Sequence, residues 1–218
     1  MSSTSSSSLS KLLREGSREA HDLAEKNPLM LGLIRGEFQG LTYAGLLRYL
    51  QPVYSSLEAS LYIHRRNPLF AKLKLSALLR SASLKEDLSY FENRLGKNIQ
   101  LEAGASCFEY AARLEEHSRK APELLVAHVY TRYLGDLSGG QMIARSVRKA
   151  LALEGDAGTR FYVFDEISHT GIFKREFREW MDSIEMSEKM KAAVCDETKE
   201  AFRLNDQLAL EVWENYRA

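Results

Sequence analysis

Apolar residues recur at helical spacing along nearly the whole chain, and this pattern limits the possible folds more than any other feature. In the longest such segment, Tyr43 to His64, leucine and tyrosine recur at steps of three and four residues, which places them on one face of a helix. Further helices are predicted at residues 9–25, 28–34, 73–79, 84–95, 103–118, 122–154, 174–182 and 187–216. Residues 159–164 are aromatic and β-branched, but they have no second strand to pair with and predict an extended connector. The fold class is therefore predicted to be all-α.

The length and composition indicate one folded domain. A chain of 218 residues with 44% hydrophobic content can bury a full core without dividing into two domains. We expect residues 9–218 to form a single compact multi-helix domain. Residues 1–8 are mostly serine, cannot bury apolar surface, and predict a disordered tail.

Charge and cysteine usage exclude several classes of function. Lys+Arg and Asp+Glu both number 30, so the chain has no net charge with which to recruit nucleic acid. Its apolar runs are far shorter than the ~20 residues that span a bilayer, and it opens on no signal peptide, so no membrane anchor is expected. The two cysteines, Cys107 and Cys195, lack a C-x-x-C partner and indicate a reducing cytoplasm.

Three glycines fall within six residues, between two segments of helical pattern, at Gly135, Gly139 and Gly140. Each glycine inside a helix costs about 1 kcal/mol relative to alanine, so this segment predicts a bent helix whose backbone lies close to something flat. At helical spacing Gly135 and Gly139 share a face, and the carboxylate of Asp136 is directed across it. A plain loop between two helices is the alternative. The letters Leu137–Gln141 also match the signature of ABC-transporter ATPases, but no phosphate-binding G-x-x-x-x-G-K-[ST] loop exists, which excludes nucleotide hydrolysis.

His21 is the second candidate site residue. It lies in the predicted helix 9–25, and the small residues Ser17 and Ala24 near it leave room for a bulky planar group. Neutral imidazole is the usual protein ligand of haem iron. Glu25, four residues later, is within reach of the other ring nitrogen and would fix the tautomer. Taken alone, this helix favours a structural explanation, either a hydrogen-bonded histidine or a surface His–Glu pair.

Taken together, the two segments resemble the haem oxygenase family. The stretch Tyr130–Gln141 is similar to the distal-helix signature of that family, and Arg14–Glu25 is similar to the place where the family carries its proximal iron ligand. Four other stretches agree with the resemblance, which extends from Leu9 to Glu214: Val53–Glu58, Ala121–His128, Phe173–Arg178 and Glu200–Asn205.

The resemblance implies a haem oxygenase fold, with haem between a proximal helix and a kinked, glycine-rich distal helix. It also implies the reaction: haem is opened at a meso carbon with dioxygen and electrons, giving biliverdin, carbon monoxide and ferrous iron. Haem is then both the substrate and the cofactor that activates oxygen. Since the sequence has no flavin or nicotinamide fingerprint, we expect an external electron donor, either a ferredoxin or an NAD(P)H-dependent flavoprotein reductase.

The same resemblance assigns roles to particular residues. His21 is the expected iron ligand, and Asp136 is expected to relay protons through ordered water. The other expected distal residues are Arg132, Tyr54, Asn205, Gly135 and Gly139. The remaining haem-binding residues are expected to be Arg14, Tyr130, Lys174, Arg178, Phe202, Glu25 and Gly140. Mammalian members carry lysine in place of Arg14, and arginine binds a carboxylate in a different, bidentate geometry.

Two other functions remain open from the sequence. A haem-binding or haem-storage protein on the same scaffold would keep His21 and the basic residues, but would have no use for the Gly135–Asp136–Gly139 arrangement. A helical enzyme or interaction protein without haem is the other alternative.

Overall fold

The computed structural model describes residues 8–96 and 100–217. This part of the chain contains ten α-helices and no β-strand, which confirms the all-α prediction. In chain order the helices are α1 (Leu9–Gly16), α2 (Arg18–Ala24), α3 (Pro28–Arg35), α4 (Gly40–Ile63), α5 (Ser81–Leu95), α6 (Ala105–Lys120), α7 (Leu125–Asp136), α8 (Gly140–Ala150), α9 (Thr170–Asp182) and α10 (Glu188–Tyr216). Short 3-10 turns occur at Leu75–Leu78, Pro122–Leu124 and Arg160–Tyr162. The predicted tail at residues 1–8 lies, apart from Ser8, outside the described residues.

Two long helices, α4 and α10, form the centre of the bundle. The apolar face of α4 packs against α5 and α6, and it buries Tyr43, Tyr49 and Tyr54 completely or almost so. Helix α10 has 29 residues, about 44 Å at the ordinary rise, and packs against α1, α2, α3, α4, α6 and α7. Its start is fixed by Ser187, whose side chain accepts a hydrogen bond from the Met190 amide at 3.2 Å.

Two predicted helices are each divided in two. The segment 9–25 breaks at Ser17, whose backbone leaves the helical region (φ −104°, ψ 7°) while its hydroxyl donates to the Leu13 carbonyl at 2.7 Å. The segment 122–154 consists of a 3-10 turn followed by α7 and α8, with a turn at residues 137–139 between the helices. The predicted bend at the glycine-rich segment is thereby confirmed.

The connector at residues 159–164 differs from the prediction. It was expected to be extended, but Arg160–Tyr162 forms a 3-10 turn. The cause is the buried carboxylate of Asp87, which accepts hydrogen bonds from the backbone amides of Arg160 (2.9 Å) and Phe161 (2.7 Å). This clamp buries the aromatic side chains that gave the segment its strand-like composition, and it brings two of them to the site described next.

Candidate active site

A cavity of about 670 Å³ lies between α1 and α2 on one side and the bend between α7 and α8 on the other. This volume is in the range of cofactor and small-molecule sites. His21, Gly135 and Gly139 all line it, so the two segments singled out by the sequence face one space. Much of the remaining wall is apolar and comes from α3, α4, α8 and α10, including Met30, Leu46, Leu50, Ile143, Leu208 and Ala209.

The α7–α8 wall is open where the glycines lie. A Cβ atom added at Gly135 would have no neighbour within 4 Å, and one at Gly139 would meet only the Gly135 carbonyl oxygen, at 3.8 Å. Both positions therefore present bare backbone to the cavity. Gly140 also lines the cavity but lacks a side chain for a different reason, since its Cβ would come within 2.7 Å of the Tyr162 ring.

On the opposite wall His21 is partly exposed, with 53% of its side chain accessible. Its ring packs edge-on against Phe202, with the ring centroids 5.6 Å apart. Nδ1 lies 3.8 Å from a Glu25 oxygen and 3.9 Å from an Asp22 oxygen. Both distances are too long for hydrogen bonds, so the carboxylates act on the imidazole through their field. Glu25 was predicted as the partner of this nitrogen, whereas Asp22 was not.

The four polar residues expected on the distal side form one hydrogen-bonded set. Asp136, at the end of α7, is buried and lines the cavity. Its Oδ2 accepts a short hydrogen bond from the hydroxyl of Tyr54, which lies behind it in the core. The Tyr54 oxygen in turn accepts from Arg132 Nε at 3.0 Å, and another nitrogen of Arg132 donates to Asn205 Oδ1.

The electrostatics of Asp136 follow from this geometry. Burial raises the pKa of the Asp136 carboxyl, and the Arg132 charge and the Tyr54 hydrogen bond oppose this only in part. The closest approach of Arg132 to Asp136 is 4.0 Å, from Nη2 to Oδ1, so the two charges attract each other without a direct hydrogen bond. Burial also raises the pKa of Tyr54, which therefore keeps its proton and donates it to the carboxylate.

The predicted basic and hydroxyl residues gather at one end of the cavity. Arg14, Tyr130 and Arg178 line it, and both arginines lower the pKa of the Tyr130 hydroxyl against the larger, raising effect of burial. Lys174 does not line the cavity. Its Nζ lies 3.3 Å from the hydroxyl of Ser138, and Ser138 does line the cavity. Arg14 and Arg178 therefore lie near the same tyrosine, and Lys174 reaches the lining at Ser138.

Two groups of residues at or near the site were not predicted from the sequence. Phe161 and Tyr162 line the cavity from the 3-10 turn, which no local pattern places there. Behind Asn205, a buried set formed by Tyr110, His128 and Glu197 extends the polar interior. The sequence does carry one signal for this set, because positions 128, 132 and 136 repeat every four residues and share a helix face.

The fold and the cavity define a class of protein: a helical bundle that holds a flat ligand between an imidazole and a helix face without side chains, with cations at one edge. A haem fits this arrangement, since its ring suits the apolar walls and the bare glycines, and its propionates suit the cations. The imidazole of His21 is a suitable ligand for the haem iron.

Comparison with known proteins identifies the family. The heme oxygenase family model matches residues 7–211. Heme oxygenase of Porphyra purpurea is 37% identical over 199 residues, which cover 91% of this chain and 84% of that protein. The heme oxygenase structure from Leptospira interrogans superposes with a TM-score of 0.86 at 33% identity, covering 94% of this chain and 100% of that one. Heme oxygenase-1 of Synechocystis in complex with heme gives 0.89 at 31% identity, covering 96% and 94%.

The chain belongs to the haem oxygenase family and is an enzyme of haem degradation. The predicted fold class and enzyme class are thereby confirmed. Among the described residues, no helix has the length and apolar character needed to cross a bilayer.

Proposed function

We propose that this enzyme opens haem at a meso carbon, with His21 holding the iron and Asp136 controlling the proton supply. The single observation that carries the proposal is the shared cavity, which has His21 on one wall and Gly135, Asp136 and Gly139 on the other. Bound haem supplies the iron that activates dioxygen and is itself the substrate, converted with external electrons to biliverdin, carbon monoxide and ferrous iron.

His21 is suited to be the axial ligand. Both neighbouring carboxylates lie on the Nδ1 side of its ring, so Nε2 is the nitrogen left for iron. Phe202 contacts the ring edge-on and restricts its rotation.

Gly135 and Gly139 let the distal backbone approach the macrocycle closely, because no side chain stands between them and the cavity. Asp136 accepts from Tyr54 through Oδ2, while Oδ1 accepts no hydrogen bond from the described residues. That oxygen is available to orient water in the cavity. Burial raises the pKa of the Asp136 carboxyl and so favours its protonated form, which lets Asp136 exchange a proton with that water.

Arg14, Tyr130 and Arg178 are proposed to bind the haem propionates, and Lys174 to support them from the rim beside Ser138. Arginine binds a carboxylate through two parallel hydrogen bonds, which fixes the rotation of the ring as well as its position. The choice of meso carbon follows from this rotation, since the distal backbone then covers one edge of the macrocycle.

Electrons are proposed to come from a separate ferredoxin or flavoprotein reductase. We place the enzyme in the cytoplasm, in keeping with its two cysteines, Cys107 and Cys195, which are free and buried. Buried thiols whose pKa is raised by burial are poor nucleophiles, so neither one supplies electrons through thiol chemistry.

The proposal is tested by hemin titration and single-turnover assays on His21→Ala and Asp136→Asn, with His64→Ala as the matched histidine control. His64 contacts Ser118 between α4 and α6 and lies outside the cavity lining. We expect His21→Ala to lose the sharp Soret band. Asp136→Asn should bind hemin normally but form biliverdin ~10²-fold more slowly or worse.

Wild-type rates in Asp136→Asn would refute the proton role. An unchanged Soret band in His21→Ala would refute the ligand assignment. If the wild-type haem complex gave no biliverdin when supplied with a reductant and oxygen, the chain would instead bind haem without degrading it.

A further inference from the structure

Two polar residues in the cavity lining, Asn27 and Asp206, have no part in the function proposed above. Asn27 is buried at the start of α3, and Asp206 is half-buried on α10. The amide nitrogen of Asn27 donates to Asp206 Oδ1 at 2.7 Å and to the Asp206 carbonyl oxygen at 3.2 Å. Its amide oxygen accepts from the Leu29 backbone at 3.0 Å. Both ends of this amide are therefore committed, and its orientation is fixed.

The negative charge of Asp206 has no cationic partner. Asn27 is neutral, and within the described residues no lysine, arginine or histidine forms an ion pair with Asp206. Its second oxygen, Oδ2, accepts no hydrogen bond from this part of the chain. Asn27 therefore holds the carboxylate in place without neutralising it, close to the apolar wall residues Leu208 and Ala209.

Helix α10 shows where this charge lies relative to the other parts of the cavity. Successive segments, from α1 to the start of α3, contact α10 in order along its length. These contacts are Gly16 with Cys195, His21 with Phe202, and Asn27 with Asp206. At a rise of about 1.5 Å per residue, the first and last contacts are about 16 Å apart on α10. Since Arg14 lies two residues before Gly16, Arg14 and Asp206 lie towards opposite ends of the cavity, with His21 between them.

We propose that Asp206 determines which porphyrins the cavity accepts, because it disfavours carboxylates at the end opposite the cations. The inference rests on the proposed binding of haem, with the iron on His21 and the propionates at Arg14 and Arg178. Haem carries its two propionates on one edge and two uncharged vinyl groups on the other, so its vinyl edge brings no charge to Asp206. A porphyrin with propionates on both edges would bring a carboxylate towards Asp206, and like charges repel strongly in a partly desolvated site.

The charge of Asp206 can be separated from its structural contact. As a tie between α10 and the start of α3, Asp206 needs only an oxygen that accepts from Asn27. The amide oxygen of an asparagine accepts such a hydrogen bond as well. Asp206→Asn therefore keeps the tie and removes the charge, whereas Asp206→Glu keeps the charge.

Titrations of the haem-free protein with hemin and with iron coproporphyrin III test the inference. The second porphyrin carries propionates in place of the two vinyl groups. Asp196→Asn is the matched control, because Asp196 is an exposed aspartate of the same helix that pairs with Lys199 at 2.8 Å and does not line the cavity. The Kd of each porphyrin is measured from the Soret band. Thermal unfolding of each haem-free variant verifies that it folds.

We expect the wild type, Asp206→Glu and Asp196→Asn to bind hemin ~10-fold or more tightly than iron coproporphyrin III. In Asp206→Asn this preference should fall by ~10-fold, through tighter binding of iron coproporphyrin III. The Kd of hemin should change by less than about twofold in the same variant.

Equal affinity of the wild type for the two porphyrins would overturn the inference, and so would an unchanged preference in Asp206→Asn. If Asp206→Asn weakened both porphyrins alike, or Asp196→Asn lost the preference to the same extent, a specific effect of the Asp206 charge would also be refuted. These outcomes leave the proposed function intact, because hemin binding by the wild type and by His21→Ala tests it separately. If the wild type gave no sharp Soret band with hemin, the proposed haem binding would fail and this inference with it.

Discussion

Replacing Gly135 with alanine should make the haem-free protein more stable and the haem complex weaker. Alanine is favoured over glycine in a helix by about 0.5–1 kcal/mol, and the added methyl group at Gly135 meets no atom within 4 Å. The haem-free protein should therefore gain about 0.5–1 kcal/mol, a rise in Tm of about 1–4 °C for a chain of this size. In the complex the same methyl group occupies the space of the macrocycle. Overpacking of this kind costs about 1–3 kcal/mol, or roughly 5- to 150-fold in Kd.

Gly140→Ala is the matched control, because its methyl group would lie 2.7 Å from the Tyr162 ring rather than in open space. In this variant the overpacking against Tyr162 costs about 1–3 kcal/mol already in the haem-free protein. This cost opposes the stabilisation from the higher helix propensity of alanine, so the Tm should not rise. Differential scanning calorimetry without haem and hemin titration measure the two effects separately. A lower Tm for Gly135→Ala, or an unchanged hemin Kd, would refute the interpretation of this glycine as bare backbone reserved for the ligand.

Two further predictions concern stability. Burial raises the pKa of Asp87 from 3.8 to about 6, so the folded state binds this proton more tightly than the unfolded state does. The free energy of unfolding should therefore fall by up to about 3 kcal/mol as the pH rises from about 4 to about 6, and urea titrations across that range should show a smaller fall in Asp87→Asn. Ser187→Ala removes the side-chain cap of α10 and should cost about 1 kcal/mol in chemical denaturation while leaving hemin binding unchanged.

Most of the helices could be predicted from the sequence because their apolar spacing is a local property. The segment 73–79 was predicted as a helix but forms only the 3-10 turn Leu75–Leu78. The break at Ser17 was not predicted, although Gly16, a weak helix former, directly precedes it. The turn at residues 160–162 was also missed, because the carboxylate that imposes it comes from Asp87, more than 70 residues earlier. The turn at residues 160–162 therefore depends on a contact between distant segments, which no local pattern reveals.

In the candidate site too, local spacing predicted some features, while others depend on how the helices pack. Spacing alone indicated a common face for Gly135 and Gly139, and the cavity lies on that face. The guanidinium of Arg132 donates hydrogen bonds to Tyr54 on α4 and to Asn205 on α10 rather than to Asp136. Only the resemblance to a family placed those two residues near Asp136, because their meeting requires three helices to pack in one particular way.

Helix α10 has a consequence for the dimensions of the cavity. It carries Phe202, which contacts the imidazole on one wall, and three residues later Asn205, which holds Arg132 behind the other. Both walls thus contact the same helix within one turn of each other. Substitutions that tilt or rotate α10 should therefore change which flat ligands are admitted, even where the substituted residues touch no ligand.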